Sequence, residues 1–93
     1  MSEIILVDVI RLRALPENRL WVRFSDGHEG EWDFSPLLAK GGAAVEPLRD
    51  PAMFARAFVE MGAPTWPTGF DVDPTHLHMQ MKAAGALTYR AAA

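Results

Sequence analysis

Three histidines and the carboxylates beside them are the residues of this chain best suited to chemistry. Asp71, Asp73, His76 and His78 crowd into eight positions and have the donor types of a transition-metal site. Their spacing argues against one. Asp73-Pro74 reads as a helix start, and on a helix His76 and His78 point about 200° apart, so they cannot share an ion. Neither His-x-x-x-His nor Cys-x-x-Cys occurs. The segment is expected to hold helix-capping aspartates and solvent-facing histidines, with no metal. Ser25, Asp26 and His28 supply the residue types of a hydrolase triad. Crowded into one hairpin turn, they cannot align a nucleophile, a base and an orienting carboxylate. Ser25-Asp26-Gly27 is explained by turn chemistry alone. Gly27 and Gly30 precede no helix that could present its N-terminus to a phosphate, and Gly41-Gly42 lacks the Lys-Ser/Thr of a P-loop. No catalytic residue, cofactor or metal is expected, which leaves a non-enzymatic protein.

The segment Trp66-Pro67-Thr68-Gly69-Phe70-Asp71 is the strongest candidate for a binding surface. Pro67 fixes one backbone dihedral and biases Trp66 toward an extended conformation. Gly69 can take a positive φ that its neighbours resist. A loop held this way loses little entropy on binding, large aromatics anchor interfaces, and Asp71 offers a charge to a basic partner. The competing explanation is that Trp66 and Phe70 plug one end of the core while Asp71 bonds nearby backbone.

The elements that must position these residues are short. Ile4 to Leu12 is rich in β-branched residues and predicts a strand. Leu15-Pro16-Glu17-Asn18 is a turn. Leu20, Val22 and Phe24 alternate with Trp21, Arg23 and Ser25, and Gly30, Trp32 and Phe34 alternate with Glu29, Glu31 and Asp33, the period-two pattern of half-buried strands. A two-residue turn at Asp26-Gly27 would set Phe24 against Glu29 and Val22 against Glu31. A three-residue loop, Ser25 to Gly27, sets Leu20 against Trp32 and Arg23 against Glu29, with Gly27 left-handed in a bulged turn. The odd-length loop is therefore expected. Ser35-Pro36, Asp50-Pro51 and Asp73-Pro74 each pair a capping oxygen with a proline suited to the first helical position. They predict two short helices, Pro36 to Ala39 and Pro51 to about Ala55, and a longer one from Pro74 to about Ala84, with Leu77, Met81 and Ala84 on its apolar side. Ala44 to Leu48 reads as extended, and Ala57 to Met61 with Ala63 to Trp66 as a hairpin about Gly62. The result is one α+β domain over residues 1–93, a small antiparallel sheet with hairpins, two short helices and a C-terminal helix. Residues 1–85 form its core and 86–93 a frayed tail.

Ninety-three residues suffice for one modest core, and 49% of them are hydrophobic. So much apolar surface in so short a chain favours contact with another chain, as a homo-oligomer or with a partner protein. The formal charge is −3, with nine basic residues scattered among twelve acidic ones. Non-specific nucleic-acid binding needs clustered cations to displace counterions, so none is expected, and an acidic chain suits a basic partner. No apolar run approaches the ~18 residues of a membrane span. The first residues lack a signal-peptide layout, and the cytoplasm is the expected compartment.

Phe24-Ser25-Asp26-Gly27, Asp33-Phe34-Ser35-Pro36-Leu37-Leu38, Pro47-Leu48-Arg49-Asp50-Pro51-Ala52-Met53-Phe54 and Trp66-Pro67-Thr68-Gly69-Phe70-Asp71 occur in this order and spacing. Together they resemble the bacterial family called Domain of Unknown Function 2442, over about Ile4 to Leu77. The resemblance implies antiparallel strands with short helices and no established activity, and it places Arg49 and Asp50 near the Trp66 loop. Some relatives continue into a helix-turn-helix domain, which this chain does not resemble after Leu77. Others are antitoxin-like partners of a small neighbouring protein. The expected function is thus a non-enzymatic interaction module, antitoxin-like or regulatory, with Arg49, Asp50, Trp66, Pro67, Gly69 and Asp71 as its surface. The alternative is a small-molecule sensor with a pocket near Trp66.

Overall fold

A computed structural model describes residues 6–91. Its centre is an antiparallel sheet of four strands in the order β1-β2-β3-β6. These are β1 (Val9–Leu15), β2 (Arg19–Phe24), β3 (His28–Asp33) and β6 (Thr88–Tyr89). The β2–β3 register is the one the three-residue loop requires. Leu20 faces Trp32 and Arg23 faces Glu29, and Gly27 sits at φ 93° with its N–H bonded to the Phe24 carbonyl at 3.1 Å. Alternation then decides the two faces: Leu20, Val22 and Phe24 are fully buried, and Trp32 packs half-buried against them. A slip of one residue would have put Trp21 and Arg23 in the core instead.

The first strand starts later than expected, at Val9. Residues 1–5, which include the start of the anticipated Ile4–Leu12 strand, lie outside the described part, as do residues 92–93 of the anticipated tail. A bulge between Val9 and Arg11 leaves Ile10 exposed. A second, two-stranded sheet pairs β4 (Phe58–Glu60) with β5 (Ala63–Thr65), turning at Met61 and Gly62, both with positive φ. It attaches to the large sheet through the Val9 N–H, which donates to the Gly62 carbonyl at 2.7 Å.

The helices are α1 (Ser35–Lys40), α2 (Pro51–Phe54) and α3 (Pro74–Ala83). Asp50 and Asp73 cap as their types suggest, each accepting the N–H two residues on at 3.0 Å. Ser35 does not. It lies inside α1, whose N-cap position is Phe34 with no side-chain cap, and its own N–H donates to Asp33 Oδ1 at 2.8 Å. Ala44 to Leu48 is not extended either, since a 3-10 turn forms over Glu46–Arg49 and carries Leu48 into the core. Leu77 and Met81, one turn apart, bury α3 on the sheet, whereas Ala84 closes the helix in solvent. After Gly85 the chain was expected to fray. Instead it crosses Gly30 and forms β6, pairing Tyr89 with His28 and Thr88 with Glu29. A Cβ on Gly30 would stand 2.0 Å from the Ala86 carbonyl oxygen, so the bare glycine admits that crossing. Side chains from all three helices join the Leu20, Val22 and Phe24 face in one core.

Candidate functional site

The structure divides the expected surface residues between core, caps and an exposed tip. Trp66 is 1% exposed. Its ring meets Phe34, Phe54 and Phe70 at centroid distances of 6.2, 5.6 and 5.9 Å. Its indole N–H donates to the Phe54 carbonyl at 2.9 Å, so the one polar atom of the side chain is satisfied inside. Trp66 is therefore a core residue and not a surface anchor. It lines none of the three concavities described below. Pro67, Gly69 and Asp71 are exposed around a turn closed by the Gly69 N–H to the Trp66 carbonyl at 2.9 Å. Gly69 takes the expected positive φ, 95°. Arg49 is bound to its own surroundings: Nε and Nη2 donate to the Leu38 carbonyl at 3.1 and 2.9 Å, and Nη1 lies 3.5 Å from Glu46. Asp50 is committed to capping α2.

The opposite face of the large sheet is built otherwise. Strand alternation lines up Arg11, Arg23 and Glu29 in one row, Arg13, Trp21 and Glu31 in the next, and Arg19 with Asp33 beyond. Within the described residues no helix covers them. Arg23 pairs with Glu29 at 2.7 Å and Arg19 with Glu31 at 2.8 Å. The Arg13 guanidinium stands 4.9 Å from the centre of the Trp21 ring, a cation–π contact. Arg11 and Arg13 have no ion pair among the described residues. Arg23 Nη2 also donates to the Arg90 carbonyl at 3.1 Å and draws the chain after β6 to the rim. Between that rim and β1 lies an open concavity of about 790 Å³, lined by Ile10, Arg11, Arg13, Trp21, Tyr89 and Arg90 among others. A smaller one lies among Arg11, Leu12, Arg13 and Trp21, and a third beside the β1–β2 turn and α2. Five arginines (11, 13, 19, 23 and 90) thus meet four carboxylates (26, 29, 31 and 33) on this face and its groove, a small positive excess although the chain is acidic.

At the end of the same groove, two segments that were read separately come together. His78 on α3 is not solvent-facing. It packs edge-on against Phe24, with centroids 4.8 Å apart, and its Nε2 lies 2.8 Å from Asp26 Oδ2. His28 Nδ1 lies 2.9 Å from the same oxygen. Burial pushes the Asp26 carboxyl up. The His28 backbone N–H and hydrogen bonds with both rings outweigh that and hold it below the ordinary aspartate value. Ser25 stands apart from this group, accepting the Asp8 N–H at 3.0 Å, so no triad forms. Asp71, Asp73 and His76 do not join either. Asp26 and His78 are 52 positions apart, and local spacing carries no signal of their meeting.

A family model described as "Protein of unknown function (DUF2442)" matches residues 9–83 of the 93. No curated protein matches the chain, and no solved structure does.

Proposed function

The chain belongs to the DUF2442 family, and from its own surfaces we propose that it is a non-enzymatic protein-interaction module. An acidic segment of a partner protein docks on the outer face of its four-stranded sheet. The reading rests on the Arg13–Trp21 stack, an aromatic and a cation standing together on a face that no helix covers among the described residues. Tryptophan and arginine are the types enriched where interfaces concentrate their energy. Arg11 and Arg90 extend the positive surface along the groove, which gives an acidic partner charge complementarity and a faster encounter. This reverses the sign expected from net charge, because the acidic residues outside the face do not set its local field.

A protein suits the face better than a nucleic acid does. Glu29, Glu31 and Asp33 are interleaved with the arginines and repel a continuous row of phosphates, whereas an acidic protein segment can place its carboxylates at the arginines alone. The setting we propose is a bacterial cytoplasm, with an antitoxin-like or regulatory role.

A photo-crosslinking residue placed at Trp21, and in a second protein at Thr68, tests the reading in the native host. The Trp21 position is expected to capture one protein that the Thr68 position does not. That protein, once purified, should bind the chain with affinity reduced at least about tenfold by Trp21→Ala and by Arg13→Glu. Binding unchanged by both substitutions overturns the assignment of this face. Crosslinks to nucleic acid at Trp21, or only to a second copy of the chain, replace the partner.

A further inference from the structure

The meeting of Asp26, His28 and His78 is more than a hydrogen-bonded turn. We propose that it is a binding site for one divalent transition-metal ion, with zinc as the reference ion. Asp26 Oδ2, His28 Nδ1 and His78 Nε2 are its ligands, and it clamps the β2–β3 turn to helix α3. This inference stands independently of the docking face.

The three donor atoms all lie within 4.8 Å of one another. The carboxylate oxygen is 2.9 Å from one ring nitrogen and 2.8 Å from the other. In a tetrahedral site with bonds of about 2.0–2.1 Å, ligand atoms stand about 3.4 Å apart. An ion is therefore admitted if the oxygen retreats from each ring by about 0.5 Å and the two ring nitrogens, which stand up to 4.8 Å apart, swing toward each other by up to about 1.4 Å. The side chains that must make this adjustment end in rotatable bonds, whereas their backbones are fixed. His28 opens β3 directly after the β2–β3 turn, which the Gly27 N–H closes on the Phe24 carbonyl, and His78 lies between the core residues Leu77 and Met81 on α3.

The surroundings orient the donors as metal sites require. Asp26 Oδ1 accepts the His28 backbone N–H at 3.0 Å, which turns Oδ2 toward the two rings. Phe24 packs edge-on against His78, and Tyr89 against His28, at 4.8 and 5.4 Å. These contacts restrain both imidazoles without occupying the nitrogens that face the carboxylate. The His78 side chain is 15% exposed and that of Asp26 30%, so the site is sheltered on one side and open to water on the other. Water or an outside ligand completes the coordination from that side.

Donor chemistry selects the ion. Two imidazole nitrogens and one carboxylate favour zinc, cobalt, nickel or copper, and they are too few oxygens for calcium or magnesium. A nitrogen that donates a hydrogen bond to Asp26 has no lone pair to give a metal. On binding, each ring therefore carries its proton on the other nitrogen or releases it to solvent, and the ion replaces the two hydrogen bonds with three coordinate bonds. A cysteine-free domain of this size gains a crosslink between parts of the chain 50 residues apart.

Tag-free protein, stripped with chelator and returned to buffer, tests the site by calorimetric titration with zinc chloride and by thermal melting. One ion per chain is expected to bind, and saturating zinc should raise the Tm by roughly 5 °C or more. Cobalt(II) should give the absorption bands of a four-coordinate nitrogen–oxygen site. Asp26→Asn and His28→Gln should each weaken zinc binding at least about tenfold. His76→Gln, on the same helix but outside the cluster, should leave it unchanged. The Asp26 and His28 variants leave the Phe24–His78 packing in place, and melting without metal establishes that they fold. No zinc-dependent change in Tm overturns the proposal. So does binding that survives Asp26→Asn and His28→Gln, or that is lost equally in His76→Gln.

Discussion

Trp66 and Trp21 are one residue type in two opposite situations. Trp66 is enclosed by three aromatic rings, and its indole N–H is spent on a backbone carbonyl. Trp21 lies half-exposed across a sheet strand, with a guanidinium on its face and no covering element among the described residues. The polar groups follow the same division. Arg49 and Asp50 complete the chain's own turns and caps, whereas Arg11 and Arg13 find no acidic partner among the described residues. Residue type nominates a surface, but what marks it is side chains whose interactions are not already completed from within.

The largest expected effect separates the two tryptophans directly. Trp66→Ala should lower unfolding stability by about 3–5 kcal/mol, the cost of an emptied aromatic site in a close-packed core. Trp21→Ala should cost under about 1 kcal/mol. Urea denaturation of both proteins measures the contrast, and equal losses would break it. Next in size is Gly30→Ala. Its new methyl collides with the Ala86 carbonyl, so the chain leading to β6 must move, at roughly 1–3 kcal/mol. If the contrast between buried and open regions holds, the same substitution at Gly69, which has nothing within 4 Å, costs only the strain of its positive φ.

The smallest effect concerns acid. The Ser35 backbone N–H and side chain hold the exposed Asp33 carboxyl below its ordinary value near 3.8. A lowered folded value stabilises the protein above the unfolded pKa, and that contribution is lost as pH falls through the folded one. Asp33→Asn should therefore lower stability slightly at neutral pH, with the difference from wild type vanishing as pH falls below about 4. Melting curves across that range decide it.

The parts of the fold that were legible are those with local causes. Opposing residues across a three-residue turn determined the β2–β3 register, and an aspartate before a proline marked α2 and α3. What stayed hidden depended on distant chain. Nothing in Thr88-Tyr89 itself signals a strand, because its pairing is with His28 and Glu29. The 3-10 turn over Glu46–Arg49 follows from Leu48 being drawn into the core. The aspartate and histidines now assigned to a metal were judged by neighbours in sequence, and their partners are 50 and 52 positions away. The basic face was invisible in a net charge of −3, since alternation along β1 and β2 sends arginines to one side only.

The two-residue strand β6 has a kinetic consequence. The β1-β2-β3 meander closes through short turns, so its pairings are local and form early. β6 joins by only two residue pairs, to a strand some 60 positions earlier. With so few pairs this seam is expected to open first in native fluctuations, without disturbing the meander beneath it. Tyr89 and Arg90, which line the groove, move with that seam. The mouth of the groove is therefore expected to loosen by local opening and not by unfolding of the domain, which faster hydrogen exchange at Tyr89 and Arg90 than in β1–β3 would show.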